Sequence, residues 1–430
     1  MRCPVFLKLR GMEKNKRFWT EQRKRDYIRN AEDNLFIIAG PGTGKTTLLS
    51  RRILNQIMGG ERLSHFLLIA FTEEAVEEFK QKIKKHLYRE IAVNKEASRR
   101  LKKKVHGIDR MHIMTFHAFC LFVLQKEKSE ETSKENRQSG QEDSLPVEER
   151  CLRLLKQNQA LLQELRRDFS KIYADELQDL NRVQLEILLR LSMDRKGKMR
   201  HNCLFMVGDP RQTIYQDAEE GRQVFFEMKK KMEARRNVRV LYLNENYRAN
   251  KQLVDWINAS FREKMRSYRD MEASQKADFL KHCPIHGVYR KAVSGGEGES
   301  LKALLLALHK AYPSLSERDF LVLCKSKERS DAYREILKEL PFLKGSSDKV
   351  VLEARYSKGL NANIVILTGA GAGQESRREE RDSHLLHLEY VAVTRAKHAL
   401  LFLTGEDEGW FQDKEYKLEE LPVLSPIEEE

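Results

Sequence analysis

A glycine-rich segment at residues 39–47, AGPGTGKTT, constrains the fold of this 430-residue chain more than any other feature. The apolar run Leu35–Ile38 before it is typical of a buried strand, and residues 48–54 after it have helical apolar spacing. A strand that leads through a glycine-rich turn into a helix directs backbone N–H groups and the helix N-terminus toward one place, which favours a bound phosphate. The segment therefore predicts a P-loop, although Ala39 replaces the first glycine of the strict pattern.

Two side chains of this loop have distinct expected roles. Lys45 is expected to reach the β- and γ-phosphates of ATP, and the Thr46 hydroxyl is expected to bind Mg²⁺. The other predicted nucleotide-binding residues of the loop are Gly40, Pro41, Gly42, Thr43, Gly44 and Thr47. The alternative is a glycine turn with a chance Lys-Thr pair, which the flanking strand and helix disfavour.

Apolar runs alternate with helix-compatible segments along the rest of the chain. The predicted strands are 66–71, 112–116, 171–174, 203–207, 238–243, 319–324, 363–367 and 399–403. This alternation predicts an α/β fold with two parallel-sheet domains and a site at the carboxyl edge of the strands. Thr20 and Thr72 are predicted to cap the helices that follow them.

Candidate catalytic residues follow the predicted strands. Asp175 and Glu176 end the strand at 171–174, so we expect Asp175 to hold Mg²⁺ and Glu176 to take the proton of the attacking water. Gln212 follows another strand and is a candidate sensor of the γ-phosphate. The remaining candidates are two arginine fingers, Arg248 and Arg395, and an adenine-stacking ring, Tyr247.

Composition restricts the class of partner. The net charge of +14 and a pI of about 9.3 suggest a polyanion such as nucleic acid, and residues 97–110 are strongly basic. The six cysteines have no paired spacing, and His282-Cys283-x-x-His286 is a weak metal candidate. No apolar run approaches the ~20 residues of a membrane span, and the N-terminus lacks the pattern of a signal peptide. We therefore expect a cytoplasmic protein without a membrane partner.

The order of these motifs resembles superfamily 1 helicases of the UvrD/Rep/PcrA type. The matching segments run from a Q motif at Gln22 through motif I at 39–47, Ia at 70–75, Ib at 115–119, II at 175–179, III at 208–215, IV at 246–248, V at 356–360 and VI at 390–397. The resemblance implies two RecA-like P-loop NTPase domains with ATP in the cleft between them. It also implies single-stranded DNA across the top, 3′ to 5′ movement, and adenine recognition by Gln22.

The resemblance also suggests a division of the chain. Residues 1–246 are expected to form RecA-like domain 1, with a small helical, partly disordered insertion at about 120–168 whose polar stretch is 126–148. Residues 247–430 are expected to form domain 2, which carries motifs V and VI. The large insertion that the family has before motif V is missing, because Leu340 is followed within a few residues by Val350.

The DNA-binding motifs depart from the family pattern more than the ATPase motifs. Asp217 stands where the family has a base-stacking Trp, and Glu353, Arg355 and Asn361 replace motif V residues. An aspartate cannot stack on a base, so we expect weak processivity. Grip on the strand is then expected from a set of rings, Phe71, Phe116, His117 and Tyr215.

Three functions remain open from the sequence. The first is an ATP-dependent helicase or translocase on single-stranded DNA, and RNA is an alternative substrate. The second is a DNA-stimulated ATPase subunit or sensor that works beside a partner such as a nuclease, in DNA repair or antiviral defence. The third is a nucleotide-gated binding module without hydrolysis, which the presence of Lys45, Glu176 and Arg395 disfavours.

Overall fold

The computed structural model describes residues 20–93, 98–131, 145–214, 218–265, 268–275, 283–343, 345–371, 382–405, 411–412 and 419–422. Several residues singled out above lie outside these ranges. They are Tyr215, Asp217, His282 and the middle of the polar stretch, residues 132–144.

The first domain is built on a parallel sheet of six strands in the order β3-β2-β4-β5-β1-β6. The strands are β1 (Asn34–Ala39), β2 (Phe66–Ala70), β3 (His112–Thr115), β4 (Lys171–Ala174), β5 (Leu204–Gly208) and β6 (Val238–Leu243). Strand β1 lies between β5 and β6, with Phe36 opposite Met206 and Val240. Phe36 belongs to one hydrophobic cluster, whereas Leu35 and Ile37 belong to another, so both faces of the sheet are covered.

Nine helices of the described residues cover this sheet. They are α1 (Glu21–Asn30), α2 (Lys45–Met58), α3 (Glu73–Val93), α4 (Ser98–His106), α5 (Phe116–Glu131), α6 (Val147–Gln157), α7 (Gln159–Asp168), α8 (Arg182–Ser192) and α9 (Ala218–Glu233). The predicted caps are confirmed. Thr20 Oγ1 accepts from Arg23 N at 3.3 Å, and Thr72 Oγ1 accepts from Ala75 N at 3.2 Å.

The predicted insertion is more ordered at its edges than its composition suggests. Helix α5 extends through Glu131, so the first residues of the polar stretch 126–148 are helical. Phe119, Cys151 and Leu165 are buried in the main cluster of the first domain. These apolar residues explain why α5, α6 and α7 fold although the sequence between them is polar.

The second domain has a parallel sheet of seven strands. Two short strands, β7 (Glu245–Asn246) and β8 (Glu272–Ala273), pair with each other before it. The sheet has the order β11-β10-β12-β13-β9-β15, and β14 pairs with β12. Its strands are β9 (Gly287–Ala292), β10 (Phe320–Cys324), β11 (Val351–Glu353), β12 (Ala362–Gly371), β13 (Ala396–Gly405), β14 (Phe411–Gln412) and β15 (Glu419–Glu420).

Helices cover the second sheet in the same way. They are α10 (Lys251–Phe261), α11 (Glu297–Ala311), α12 (Lys327–Leu337), α13 (Ser347–Val350) and α14 (Asp382–Val393). Leu253 and Ile257 of α10 share a cluster with Val365 of β12, so α10 packs on the second sheet. One-turn 3₁₀ helices occur at Leu63–His65, Ile108–Arg110, Leu177–Asp179, Pro210–Gln212, Glu317–Asp319, Pro341–Leu343 and Ala354–Ser357.

The predicted fold class is confirmed: the protein is α/β with two parallel-sheet domains, as in a pair of RecA-like domains. The division after residue 246 stays a proposal. Across the described ranges, the helices lack the combination of length and apolar character that crossing a membrane requires.

Candidate active site

The loop after β1 has the backbone of a phosphate cradle. Gly42 and Gly44 have φ values of 71° and 76°, a left-handed conformation that suits glycine. Thr43 Oγ1 donates to the Gly40 carbonyl at 2.8 Å, and Lys45 Nζ donates to the Ala39 carbonyl at 3.3 Å. The Ala39 methyl, which breaks the strict pattern, is buried in the core and leaves the loop intact.

Asn246 of β7 and Tyr247 after it hold this loop from the segment that follows β6. Asn246 Nδ2 donates to the Pro41 carbonyl at 3.0 Å, and Tyr247 N donates to the Gly42 carbonyl at 2.8 Å. The Asn246 side chain also accepts from the Arg248 N–H at 2.8 Å. A Cβ on Gly42 would lie 2.5 Å from Asn246 Oδ1, so this close contact requires glycine.

Helix α1 contacts the loop through a residue that sequence reasoning missed. Gln22, the predicted adenine reader, is exposed and donates to Asp26 at 2.9 Å. Arg25, one helical turn later, is buried and donates to the Thr43 carbonyl at 2.8 Å. Its guanidinium carbon lies 4.4 Å from the centre of the Tyr247 ring. Arg25 lies three residues after Gln22, which is about one helical turn, and this spacing was the signal in the sequence that could have identified it.

Asp175 and Glu176 lie at the carboxyl end of β4. Asp175 Oδ1 accepts from the Glu176 N–H at 2.9 Å, and the Gln178 amide donates to the Glu176 carboxylate. Glu176 has a φ of 48°, a left-handed conformation that is uncommon outside glycine. The turn that follows is the 3₁₀ helix Leu177–Asp179.

The two carboxyl groups have opposite electrostatic environments. Burial, together with the neighbouring Glu176, raises the pKa of Asp175. Burial also acts to raise the pKa of Glu176, but Lys45 and Lys358 outweigh it and lower that pKa below its usual range. Asp175 is buried beside a second carboxylate and is therefore hard to ionise. A bound cation would stabilise its ionised form. Asp175 and the half-buried Thr46 hydroxyl supply oxygen ligands of the kind that Mg²⁺ prefers.

A buried network surrounds Asp209 at the end of β5. The carboxylate accepts from Arg211 Nε and from Gln212 Nε2, each at 2.8 Å. The Asp209 N–H donates to Gln178 Oε1 at 2.9 Å, which links this loop to the turn after β4. Burial acts to raise the pKa of Asp209, but Arg211 and Lys45 outweigh it and lower that pKa.

Arg395 of the second domain reaches this network, and Arg248 contacts the residue before Arg395. Arg395 is 2% exposed; its Nη2 donates to Gln212 Oε1 at 3.3 Å, and its Nε donates to the Val391 carbonyl at 2.8 Å. Arg248 Nη1 donates to the Thr394 carbonyl at 3.2 Å. Burial and then the nearby Arg248 lower the pKa of Arg395 to about 9. The structure thus brings both arginine candidates and Gln212 together.

Lys358, which lies in motif V and has no role assigned from the sequence, forms a second link between the domains. Its Nζ forms an ion pair with Asp179, donates to the Gln212 carbonyl at 3.2 Å and lies 3.9 Å from Glu176 Oε2. The Asp179 side chain is 0% exposed. Burial raises the pKa of Asp179 to about 6, although Lys358 opposes the shift.

Two histidines of α14 hold the loop after β5. His387 Nδ1 lies 2.8 Å from the Arg211 carbonyl, and His384 Nε2 lies 2.8 Å from the Ile214 carbonyl. Because a carbonyl can only accept, each of these nitrogens carries the hydrogen. These contacts, like those of Lys358, join residues far apart in the chain.

The predicted strand-binding rings have different environments. Phe71 is 37% exposed, and Lys358 Nζ lies 5.8 Å from its ring centre. His117 is exposed and lies 3.5 Å from Glu148. Phe116 is only 5% exposed and packs on Phe119, so the prediction that it grips the strand is wrong.

The altered positions of motif V form a close ion pair. Arg355 Nε lies 2.5 Å from Glu353 Oε1, and Glu353 is buried. Tyr356 beside them is exposed.

In the weak metal candidate, the Cys283 thiol donates to the Ile285 carbonyl at 3.3 Å. Within the described ranges, no group of three His, Cys, Asp or Glu residues is placed to hold a metal ion.

Comparisons with known proteins found a matching family model and several relatives. A family model of the UvrD/REP helicase N-terminal domain matches residues 20–149 and 130–233. The fold and the site define a P-loop nucleotide-binding protein with two parallel-sheet domains. The chain belongs to the UvrD-like superfamily 1 helicases.

Similar curated proteins are named as subunits of an ATP-dependent helicase/nuclease. The protein of Lactobacillus helveticus is 36% identical over 109 residues, which cover 25% of this chain and 9% of the relative. That of Clostridium botulinum is 33% identical over 111 residues, which cover 25% and 8%. That of Enterococcus faecalis is 29% identical over 99 residues, which cover 23% and 8%. The alignments therefore span less than a tenth of these relatives.

Proposed function

We propose that this chain hydrolyses ATP in the cleft between its two domains and thereby moves along single-stranded DNA in the 3′ to 5′ direction. The observation that carries this proposal is the meeting of the two domains at the carboxylates. Arg395 contacts Gln212 at 3.3 Å, and Lys358 lies 3.9 Å from Glu176. Binding or hydrolysis of ATP in the cleft therefore acts directly on the contact between the domains.

The residues of the cleft divide the chemistry among them. The loop backbone and Lys45 bind the phosphates, and Glu176, whose lowered pKa keeps it ionised, accepts a proton from the attacking water. Arg248 and Arg395 stabilise the charge that develops on the transferring phosphoryl group. A magnesium ion held by Thr46 and Asp175 would neutralise phosphate charge. Tyr247 and Gln22 stay proposed contacts of the adenine.

Movement requires that the strand and the cleft communicate. Lys358 provides a physical route, because its Nζ lies 5.8 Å from the centre of the exposed Phe71 ring and 3.9 Å from Glu176 Oε2. A base stacked on Phe71 would lie beside the same ammonium group that pairs with Asp179. DNA is therefore expected to stimulate hydrolysis.

The test compares ATP turnover with and without single-stranded DNA, followed by strand displacement on duplexes with a 3′ or a 5′ tail. Glu176→Gln should abolish DNA-stimulated turnover and retain nucleotide binding. The control, Glu263→Gln, changes an exposed carboxylate and should behave as wild type. Displacement from the 5′ tail alone would contradict the proposed direction. Equal turnover by Glu176→Gln and wild type would contradict the assignment of the base.

A second candidate is an ATPase subunit that needs a partner to unwind DNA. The relatives are named as subunits of a helicase/nuclease, which favours this candidate. The same assay separates the two candidates. Turnover stimulated by DNA without displacement from either tail would support the second candidate, with a nuclease as its expected partner in repair or defence.

A further inference from the structure

A cluster of basic residues, which includes Arg167, Arg195 and Lys198, lies at the edge of the first sheet opposite to the P-loop. The P-loop follows the carboxyl end of β1, whereas these residues lie in the segments that lead into β4, β5 and β6. All pairs of neighbouring strands in this sheet are parallel, so the two ends of the strands form opposite edges. The chemistry of the ATP site therefore does not account for the positive charge that collects here.

A groove of about 1040 Å³ lies among these residues, between α7, α8 and the hairpin Met193–Met199. Its charged lining is predominantly basic, with four arginines and two carboxylates: Arg166, Arg167, Arg190, Arg195, Glu186 and Asp194. Among the described residues that line the groove, none is aromatic.

Arg166 and the nearby Arg200 also have a structural role, because they hold together the segments that form the groove. Arg166 donates twice to the Arg190 carbonyl, at 2.7 and 3.0 Å, at the end of α8. Arg200 donates to the Phe169 carbonyl at 3.1 Å and to the Leu191 carbonyl at 2.9 Å. Burial, and then repulsion by Arg200, lower the pKa of Arg166, although Asp194 opposes the shift.

The hairpin presents further cations on a fixed backbone. Met193 and Met199 form an antiparallel bridge, and Gly197 has a φ of 72° at the turn. Asp194 Oδ1 accepts from the Lys196 and Lys198 N–H groups at 2.8 and 2.9 Å, so this carboxylate is engaged inside the turn. Arg195, Lys196 and Lys198 are exposed.

We propose that this groove and hairpin bind the phosphate backbone of duplex DNA. Guanidinium and ammonium groups are the usual phosphate ligands, and backbone contacts of this kind are independent of sequence. A single strand is normally held by stacking on aromatic rings, which the described lining of this groove does not offer. A protein partner would normally find aromatic residues at the centre of its interface. The inference rests on the proposed function only for the choice of nucleic acid as the polyanion.

The test is a triple variant, Arg167→Gln/Arg195→Gln/Lys198→Gln, whose residues are exposed and lie outside the ATP site. The control, Lys251→Gln/Arg318→Gln/Lys338→Gln, removes three charges from exposed positions of the second domain. Binding of a short blunt duplex is measured without ATP at several salt concentrations. The first variant should bind more weakly, and its salt slope should fall by ~0.9 for each contact that is lost.

The other outcomes overturn the inference. The first is an unchanged affinity of the triple variant for the duplex, and the second is an equal loss of affinity in the control variant. The third is a triple variant that binds poly-glutamate more weakly than the wild type does but binds the duplex equally well. ATP turnover stimulated by a short single strand is measured in parallel, and the first variant should retain it. Failure of that stimulation in the wild type would contradict the proposed function while leaving the duplex measurement valid.

Discussion

The ion pair between Lys358 and Asp179 offers a sharp test of how the two domains are joined. The pair is buried, with side chains 10% and 0% exposed, and it crosses from the second domain to the first. Lys358→Met keeps the length of the side chain and removes the charge, along with the bond to the Gln212 carbonyl at 3.2 Å. The substitution leaves a buried carboxyl group without its cation.

The size of the effect follows from the burial of Asp179. Removing one partner of a buried ion pair costs ~3–5 kcal/mol, because the other charge stays buried. Asp179 limits this cost by taking up a proton, since its pKa is already about 6 and rises further when Lys358 is lost. We therefore expect a cost at the lower end, ~3 kcal/mol. Because the partners belong to different domains, the loss falls on their docking and lowers the equilibrium constant for docking of the two domains by about two powers of ten.

The assay is steady-state ATP turnover together with thermal unfolding of each variant. Lys358→Met should lower turnover, whereas Lys349→Met, an exposed lysine of the second domain, should not. The double variant Lys358→Met/Asp179→Asn should recover much of the loss, because no buried charge is left over. A double variant as defective as the single one, or wild-type turnover in Lys358→Met, would refute the reasoning.

Four further results are expected. Lys45→Ala should weaken both ATP binding and turnover, whereas Glu176→Gln should keep binding and lose ~10²–10⁴ in rate, as single-turnover kinetics would measure. Arg395→Lys should lose up to ~10³ in kcat with little change in binding, because an ammonium lacks the planar fork of the guanidinium. Arg25→Ala removes a charged hydrogen bond worth ~1.5–3 kcal/mol, so the KM for ATP should rise about tenfold or more. Asp217→Trp should tighten single-strand binding by ~1–3 kcal/mol at fixed salt, and unchanged binding would contradict its placement beside the strand.

Much of the fold was predictable because its signals are local. The run Leu35–Ile38 is apolar at every position, as a strand covered on both faces requires, and it lies within β1. Thr20 and Thr72 precede acidic residues and cap their helices as expected. Strands β9 and β11 were missed because their local signals are weak: GVYRKA mixes polar with apolar residues, and VLE is too short for a pattern.

Contacts between distant residues were not predictable from local patterns. Phe116 and Phe71 both follow strands in motif-like segments, yet one is buried in the core and the other is exposed. Lys358 pairs with Asp179, and the two are 179 positions apart in the chain. The motifs indicated which residues matter, whereas the pairing depends on how the second sheet meets the first.

The backbone at Glu176 connects the strain in the fold to the proposed chemistry. A left-handed conformation outside glycine costs ~1–3 kcal/mol and persists only where the surroundings enforce it. Here the Asp175 carboxylate accepts from the Glu176 N–H, and the Gln178 amide donates to the Glu176 side chain, so the geometry is held from both ends. Gln178 also accepts from the Asp209 N–H, and Asp209 in turn binds the side chain of Gln212. The strained residue is thereby fixed to the network that Arg395 reaches from the second domain, so a movement of that domain acts on the backbone that aims the proposed base.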